Sequence, residues 1–209
     1  MMRSPALLRL AAVSAAALAL SACISLLPKT EPAHLYRFGQ PISAAALDAP
    51  LGQVGVFQAN AVFQRESAGD RLLTITDGKA AYVAETRWVA PASVLWDEAV
   101  LAAFDADPGH VRLISRGELA SAAYVLRLDV RNFEARYERG PKAAPTVVVR
   151  VRATLTAGAG GGLLSEKIFE KRVTAAENRV SAIVPAYDRA VAEVLAEVVD
   201  WTNAQAKPV

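Results

Sequence analysis

Near the C-terminus, Val180, Ile183, Val184, Tyr187, Val191, Val194, Leu195 and Val198 recur at offsets 0, 3, 4, 7, 11, 14, 15 and 18. At 3.6 residues per turn these positions form one stripe on a long helix, and Arg189, Glu193, Glu197 and Asp200 take the other side. A helix with a single apolar stripe must bury it against another element, so the rest of the chain has to supply a matching apolar face. Pro185 either lies in the first turn of this helix or bends it.

Two long alternating runs supply that face. In the first, Tyr124, Leu126, Leu128 and Val130 share one side, and Arg127, Asp129 and Arg131 share the other. The parity then reverses, because Phe133, Ala135 and Tyr137 fall in register with the arginines. A strand has period two, so the run keeps one apolar face only with a β-bulge near Asn132. In the second run Val147, Val149, Val151, Ala153 and Leu155 point inward, and Arg150, Arg152 and Thr154 point outward. Gly158 to Gly162 then connects to a third strand, Leu163 to Val173.

The first half of the chain is shorter-ranged. His34–Phe38 and Val54–Gln58 read as strands separated by a loop, Gly39–Leu51, that holds Pro41 and Pro50. Ala59–Asp70 is polar and reads as a loop, with Phe63 its large apolar residue. Leu72–Thr76 and Ala80–Ala84 flank Asp77-Gly78, a hairpin signal because both central residues of a type I′ turn need positive φ. Pro91 opens a helix through Phe104, Asp107-Pro108-Gly109 stops it, and Val111–Ser115 is a strand. Strands, helix, strands, helix, with one polar sheet face, predict a two-layer α+β domain: a mostly antiparallel sheet with two main helices packed on one face. No internal repeat or second domain is visible, and the folded part is assigned to residues 34–209.

The N-terminus has a different composition. Residues 1–22 hold Arg3 and Arg9, no acidic residue, and an apolar run from Leu10 to Leu20. This is the plan of a secretory leader, and the run is too short to span a bilayer comfortably. It ends Leu20-Ser21-Ala22-Cys23, which resembles a bacterial lipobox, with cleavage between Ala22 and Cys23. A plain secretory signal with an incidental Cys, or an N-terminal membrane anchor, are the alternatives; the lipobox is preferred because the one Cys of the chain stands at the required place. Cys23 would carry the acyl chains (palmitate among them) as a covalent lipid and not a cofactor, each buried CH₂ contributing about 0.8 kcal/mol to membrane anchoring. Residues 23–33 form the lipidated tether, kept extended by Pro28 and Pro32, and its ten residues after Cys23 span at most about 35 Å. Ile24 and not Asp follows Cys23; by resemblance to enterobacterial lipoproteins this sorts the protein to the outer membrane, facing the periplasm.

The +2 formal charge belongs wholly to the leader: residues 23–209 carry 21 Lys+Arg and 21 Asp+Glu. That balance argues against a basic nucleic-acid binder. One Cys and two His exclude an internal disulfide and a Cys/His zinc cluster. No Gly-x-Ser-x-Gly elbow, His-Glu-x-x-His helix or Ser-x-x-Lys pair is present, and the Gly158–Gly162 run lacks the Gly-Lys-Ser/Thr ending of a phosphate loop. His34 and His110 read as surface or turn histidines, and the pairs Asp97/Glu98 and Glu193/Glu197 as solvated helix faces. No catalytic residue and no metal site is assigned.

Two features suit a partner surface. Arg127, Arg131, Arg150 and Arg152 line the outward sheet face; they form either a basic patch for anionic headgroups or an acidic partner, or a solvated face balanced by Asp129, Glu166 and Glu170. Arg87-Trp88 stands between a strand and a helix, where Trp88 is either a core anchor or, if exposed, a contact hot spot.

In order, the chain shows the lipobox, Leu35-Tyr36-Arg37-Phe38, Asp70-Arg71-Leu72 before a strand, Ala81-Tyr82-Val83-Ala84 leading to Arg87-Trp88, Pro91 with Leu95 and Ala103-Phe104, Phe133-Glu134-Ala135-Arg136-Tyr137, and the helix from Tyr187 to Trp201. This resembles the ABC-type transport auxiliary lipoprotein (PqiC-like) family over nearly the whole chain after the leader. The Ala59–Gly69 loop departs from it. The resemblance implies a non-enzymatic accessory subunit, anchored in the outer membrane by Cys23, that docks a periplasmic MCE-domain protein and its ABC transporter. Such systems move phospholipid or other hydrophobic molecules between the inner and outer membranes. Direct phospholipid binding and homo-oligomerisation stay open at this point, and nucleic acid is not expected as a partner. The alternatives are a structural or assembly lipoprotein of another envelope complex, and a periplasmic hydrolase with an unrecognised site.

Overall fold

The computed structural model describes residues 33–39, 54–107, 109–158 and 160–207. The leader, the Ala22-Cys23 junction, residues 23–32 of the tether and residues 40–51 of the Gly39–Leu51 loop lie outside the described residues. Eight strands and two helices follow in the order β1 (His34–Tyr36), β2 (Val54–Gln58), β3 (Arg71–Thr76), β4 (Lys79–Trp88), α1 (Ala92–Asp105), β5 (Val111–Ile114), β6 (Tyr124–Arg136), β7 (Thr146–Ala157), β8 (Leu163–Thr174) and α2 (Val180–Gln205).

The fold is α+β, as the patterning predicts, but the sheet is mixed. The long pairings β6–β7 and β7–β8 and the hairpin β3–β4 are antiparallel. Four short pairings, β1–β4, β2–β5, β2–β6 and β3–β6, are parallel. The reason lies in the free edge of β6. β2 pairs with its start, Phe63 of the following loop bridges to Val130, and β3 pairs with its end. The stretch from Val54 to Thr76 thus runs alongside β6 as an interrupted parallel strand. Periodicity sees only which face a residue takes, so it does not report strand direction.

The bulge in β6 falls where the reversal of parity requires it. Val130 pairs with Val151 and Asn132 with Arg150, so Arg131 is the extra residue. Leu126, Leu128, Val130, Phe133 and Ala135 then all enter the core beside Val147, Val149, Val151, Ala153 and Leu155. The Asp77-Gly78 turn has φ of 49° and 74°, both positive, as the type I′ hairpin demands. β4 runs past the expected Ala84 to Trp88 because its register against β3 jumps between Leu73–Tyr82 and Arg71–Arg87. Glu85, at φ 51°, sits in that jump.

The stripe of α2 is buried as expected, apart from the partly buried Val180. Pro185 lies inside the helix on an exposed position, where it costs one i→i−4 bond. At the centre, Phe133 meets Phe38 at 5.0 Å, Phe63 at 5.5 Å, Trp88 at 6.3 Å and Tyr187 at 4.9 Å between ring centroids. The Tyr187 hydroxyl donates to the Leu73 carbonyl at 3.3 Å, satisfying the polar end of a fully buried ring. Burial raises the Tyr187 phenol well above its ordinary range. A second tie joins the helix ends. Asn203 donates to Asp107 at 2.7 Å and accepts from the Val111 backbone at 3.1 Å, and the His110 ring bonds the Ala206 carbonyl at 2.7 Å.

Candidate functional site

Among the described residues no group of three or more His, Cys, Asp or Glu is placed to hold a metal, and no helix is long and apolar enough to cross a membrane. His34 lies on the edge strand β1, and His110 is engaged by the C-terminal carbonyl of Ala206.

The four arginines of the outward sheet face do come together, on β6 and β7. None of them is a free cation. Arg127 donates to Asp129 at 2.8 Å, and Arg131 reaches the other oxygen of Asp129 at 3.6 Å. Arg150 is paired with Glu170 and Arg152 with Glu166 across the β7–β8 ladder. The hydrogen bond and charge of Glu166 raise the Arg152 guanidinium further above its ordinary range. The face is thus an ion-paired lattice in which the four arginines share three carboxylates, Asp129, Glu166 and Glu170.

That face is also less open than alternation suggests. Asp129 and Glu134 point away from the core, yet their side chains are only 8% and 3% exposed. Arg127 and Arg131 lie over Asp129, which also accepts from the Val62 backbone at 3.3 Å, and Arg136 holds Glu134 at 2.6 Å. Arginine stems provide the cover while their heads stay wet. Sequence alternation marks these positions as solvent-facing, because a period of two carries no information about what long neighbouring side chains cover.

Arg87 and Trp88 are separated by the structure. Trp88 ends β4 with its ring in the core, 2% exposed, edge-on to Phe38 at 5.0 Å and to Tyr187 at 5.3 Å. Its role as an exposed contact is corrected: it is a core anchor, because neighbouring strand residues face opposite sides. Arg87 takes the outer side, half exposed, and pairs with Asp70 at 2.8 Å.

Two features escaped sequence reasoning. One is a cleft of about 390 Å³ between α1 and α2, floored by Ala99, Ala102, Ala103, Val191 and Leu195 with Asp188 and Asp200 on its rim. Its signal in the sequence is the set of small residues Ala99, Ala102 and Ala103 in α1. The other is the polar cluster of Asp97 on α1, which meets Arg116 at 3.0 Å and Gln58 at 3.4 Å. Burial raises the Asp97 carboxyl above its ordinary value, against the opposing pull of Arg116.

The ladder β6–β7–β8, the hairpin, α1 and most of α2 lie within residues 69–199, and this stretch matches the model of a family described as the ABC-type transport auxiliary lipoprotein component. The chain belongs to that family. Solved structures with the same fold include a Xanthomonas campestris protein assigned to DUF330, 20% identical, covering 82% of this chain and 96% of its own, at a TM-score of 0.69. A second crystal structure, of an uncharacterized protein, is 14% identical, covers 82% and 99%, and reaches 0.63. A hypothetical protein from Chlamydia trachomatis is 12% identical, covers 73% and 99%, and reaches 0.50. At these identities the likeness concerns the fold. No curated protein sequence matches the chain. The described residues of this member offer an ion-paired sheet face, a small-residue helical cleft and an exposed sheet edge.

Proposed function

We propose that this protein is a non-enzymatic accessory subunit of an ABC/MCE-type system that moves lipid or another hydrophobic compound between the inner and outer membranes. In this reading Cys23 carries the lipid anchor, the protein sits on the periplasmic face of the outer membrane, and an MCE-domain protein is its direct partner. The observation that carries the reading is membership of the auxiliary lipoprotein family over residues 69–199. The Leu20-Ser21-Ala22-Cys23 sequence supports the anchor, since Cys23 is the single Cys of the chain. Stable anchoring by acyl chains needs more than one chain, which a lipidated N-terminal Cys supplies.

The test is affinity capture of the acylated protein from membranes at native expression, with phospholipid distribution measured in a deletion strain. Recovery of an MCE-domain protein and a changed distribution are the expected results. Recovery of none, with lipid distribution unaltered, overturns the transport role. Separately, Cys23→Ser is expected to lose the acyl mass and leave the outer-membrane fraction. A Cys23→Ser variant that still fractionates there overturns the anchor.

A further inference from the structure

We propose that the sheet edge made by β1 and the end of β4 rests directly on the surface of the phospholipid bilayer, an inference that depends on the acylation of Cys23. Leu35 is 62% exposed, Val89 48% and Val94 45%. They belong to one corner of the fold. Leu35 pairs with Arg87 across β1–β4, and the Val89 backbone donates to the Tyr36 carbonyl at 2.8 Å. Val94 stands one turn before Glu98 on the same face of α1, and Glu98 is bound by Arg37 of the segment that follows β1. Three exposed aliphatic tips are therefore flanked by Arg37 and Arg87, each half exposed and each held by one carboxylate. Aliphatic tips with arginines at their border suit the headgroup boundary, where stems sit among apolar groups and guanidinium heads stay in the polar layer.

The chain outside the described residues points to the occupant. Ten residues separate Cys23 from His34, and they end at Ala33, two positions before Leu35. Their reach is at most about 35 Å. The sheet from β1 to β8 crosses six strands, about 24 Å at ~4.8 Å per spacing. The tether's length alone thus permits either edge to face the membrane, and its last residue, Ala33, directly precedes β1. The far edge also exposes Leu163, Leu164 and Ile168, but β8 interleaves them with Glu166, Lys167 and Glu170. Charges on an exposed edge strand hinder association there.

Leu35 and Ile168 are exposed alike, 62% and 61%, at opposite ends of the sheet, which makes them a matched pair. Acylation consumes the thiol of Cys23, so an added Cys is the one reactive site. Full-length acylated protein carrying Leu35→Cys, Val89→Cys or Ile168→Cys is labelled with bimane and placed on phosphatidylethanolamine/phosphatidylglycerol vesicles containing headgroup nitroxide lipid. Loss of most of the emission at 35 and 89, with emission at 168 retained, is the expected result. Equal quenching at 35 and 168, quenching at 168 alone, or no quenching of protein that floats with the vesicles overturns this inference alone. Protein that lacks the acyl mass and does not float overturns the anchor reading with it.

Discussion

Phe133 packs at a tilt of 43° against Tyr187 with ring centroids 4.9 Å apart, and this contact exists because Arg131 is a bulged residue in β6. Were β6 regular through Arg131, with no bulge, Phe133 would share a face with Arg127 and Asp129. The bulge therefore joins the sheet to α2 at the middle of the core, and four aromatic neighbours depend on it. Phe133→Ala is expected to cost about 3–5 kcal/mol in urea unfolding, the usual loss for a buried Phe. Deleting Arg131 is expected to cost much less, because it removes the unpaired residue and leaves residues 132–136 on their present faces and in their present pairs with β7. Near-ultraviolet circular dichroism of the deletion is expected to show the aromatic cluster retained.

A side chain at Gly109 is predicted to displace the hydrogen-bonded Asp107–Asn203 pair. A Cβ there would lie 2.3 Å from Asp107 Oδ2 and 2.5 Å from Asn203 Oδ1. Gly109→Ala is expected to destabilise the fold by about 1–3 kcal/mol, as overpacking does. Asn203→Ala alone should also destabilise, since the Val111 backbone loses its acceptor. The double variant should cost less than the sum of the two, which a double-mutant cycle by denaturant titration would measure.

On the outward sheet face, the acid matters more than the bases around it. Arg127 is half exposed, and Arg127→Ala is expected to change stability by less than about 1 kcal/mol. Asp129→Ala is expected to cost about 1–3 kcal/mol, because it removes the acceptor shared by Arg127, Arg131 and the Val62 backbone. A loss at Arg127 equal to that at Asp129 would show that the arginine stem, and not the hydrogen-bonded carboxylate, holds this face.

Asp97 should leave a mark on the pH dependence of stability. Burial raises its carboxyl above 3.8, outweighing Arg116, so the folded state keeps the proton to higher pH than the unfolded chain does. The stability this provides is complete below 3.8 and is lost as pH rises through the shifted value. Asp97→Asn carries no such proton. The stability of wild type minus that of the variant is therefore expected to fall as pH is taken from below 3.8 to neutrality, measured as urea midpoints.

Elements whose pattern is local were legible in the sequence. The α2 stripe, the alternation of β6 and β7, the Asp77-Gly78 turn and the bulge all follow from period and turn chemistry, and each stands within a residue or two of its expected place. The partner surface was legible only as a set of residue types. Trp88 could be read as contact or core, and the arginines as patch or lattice, because each choice depends on residues far along the chain. Asp70 lies 17 residues from Arg87 and Glu170 lies 20 from Arg150.

By itself the sequence determined the two amphipathic surfaces that must meet, since burial period is written in neighbouring residues, and it marked Cys23 as the single thiol of the chain. Tertiary structure alone decided the parallel pairings along β6, the burial of Trp88, Asp129 and Glu134, and the ion pairing of the four arginines. These depend on which distant strands become neighbours, and hydrogen-bond geometry and charge act through space between side chains that the order of residues does not place together.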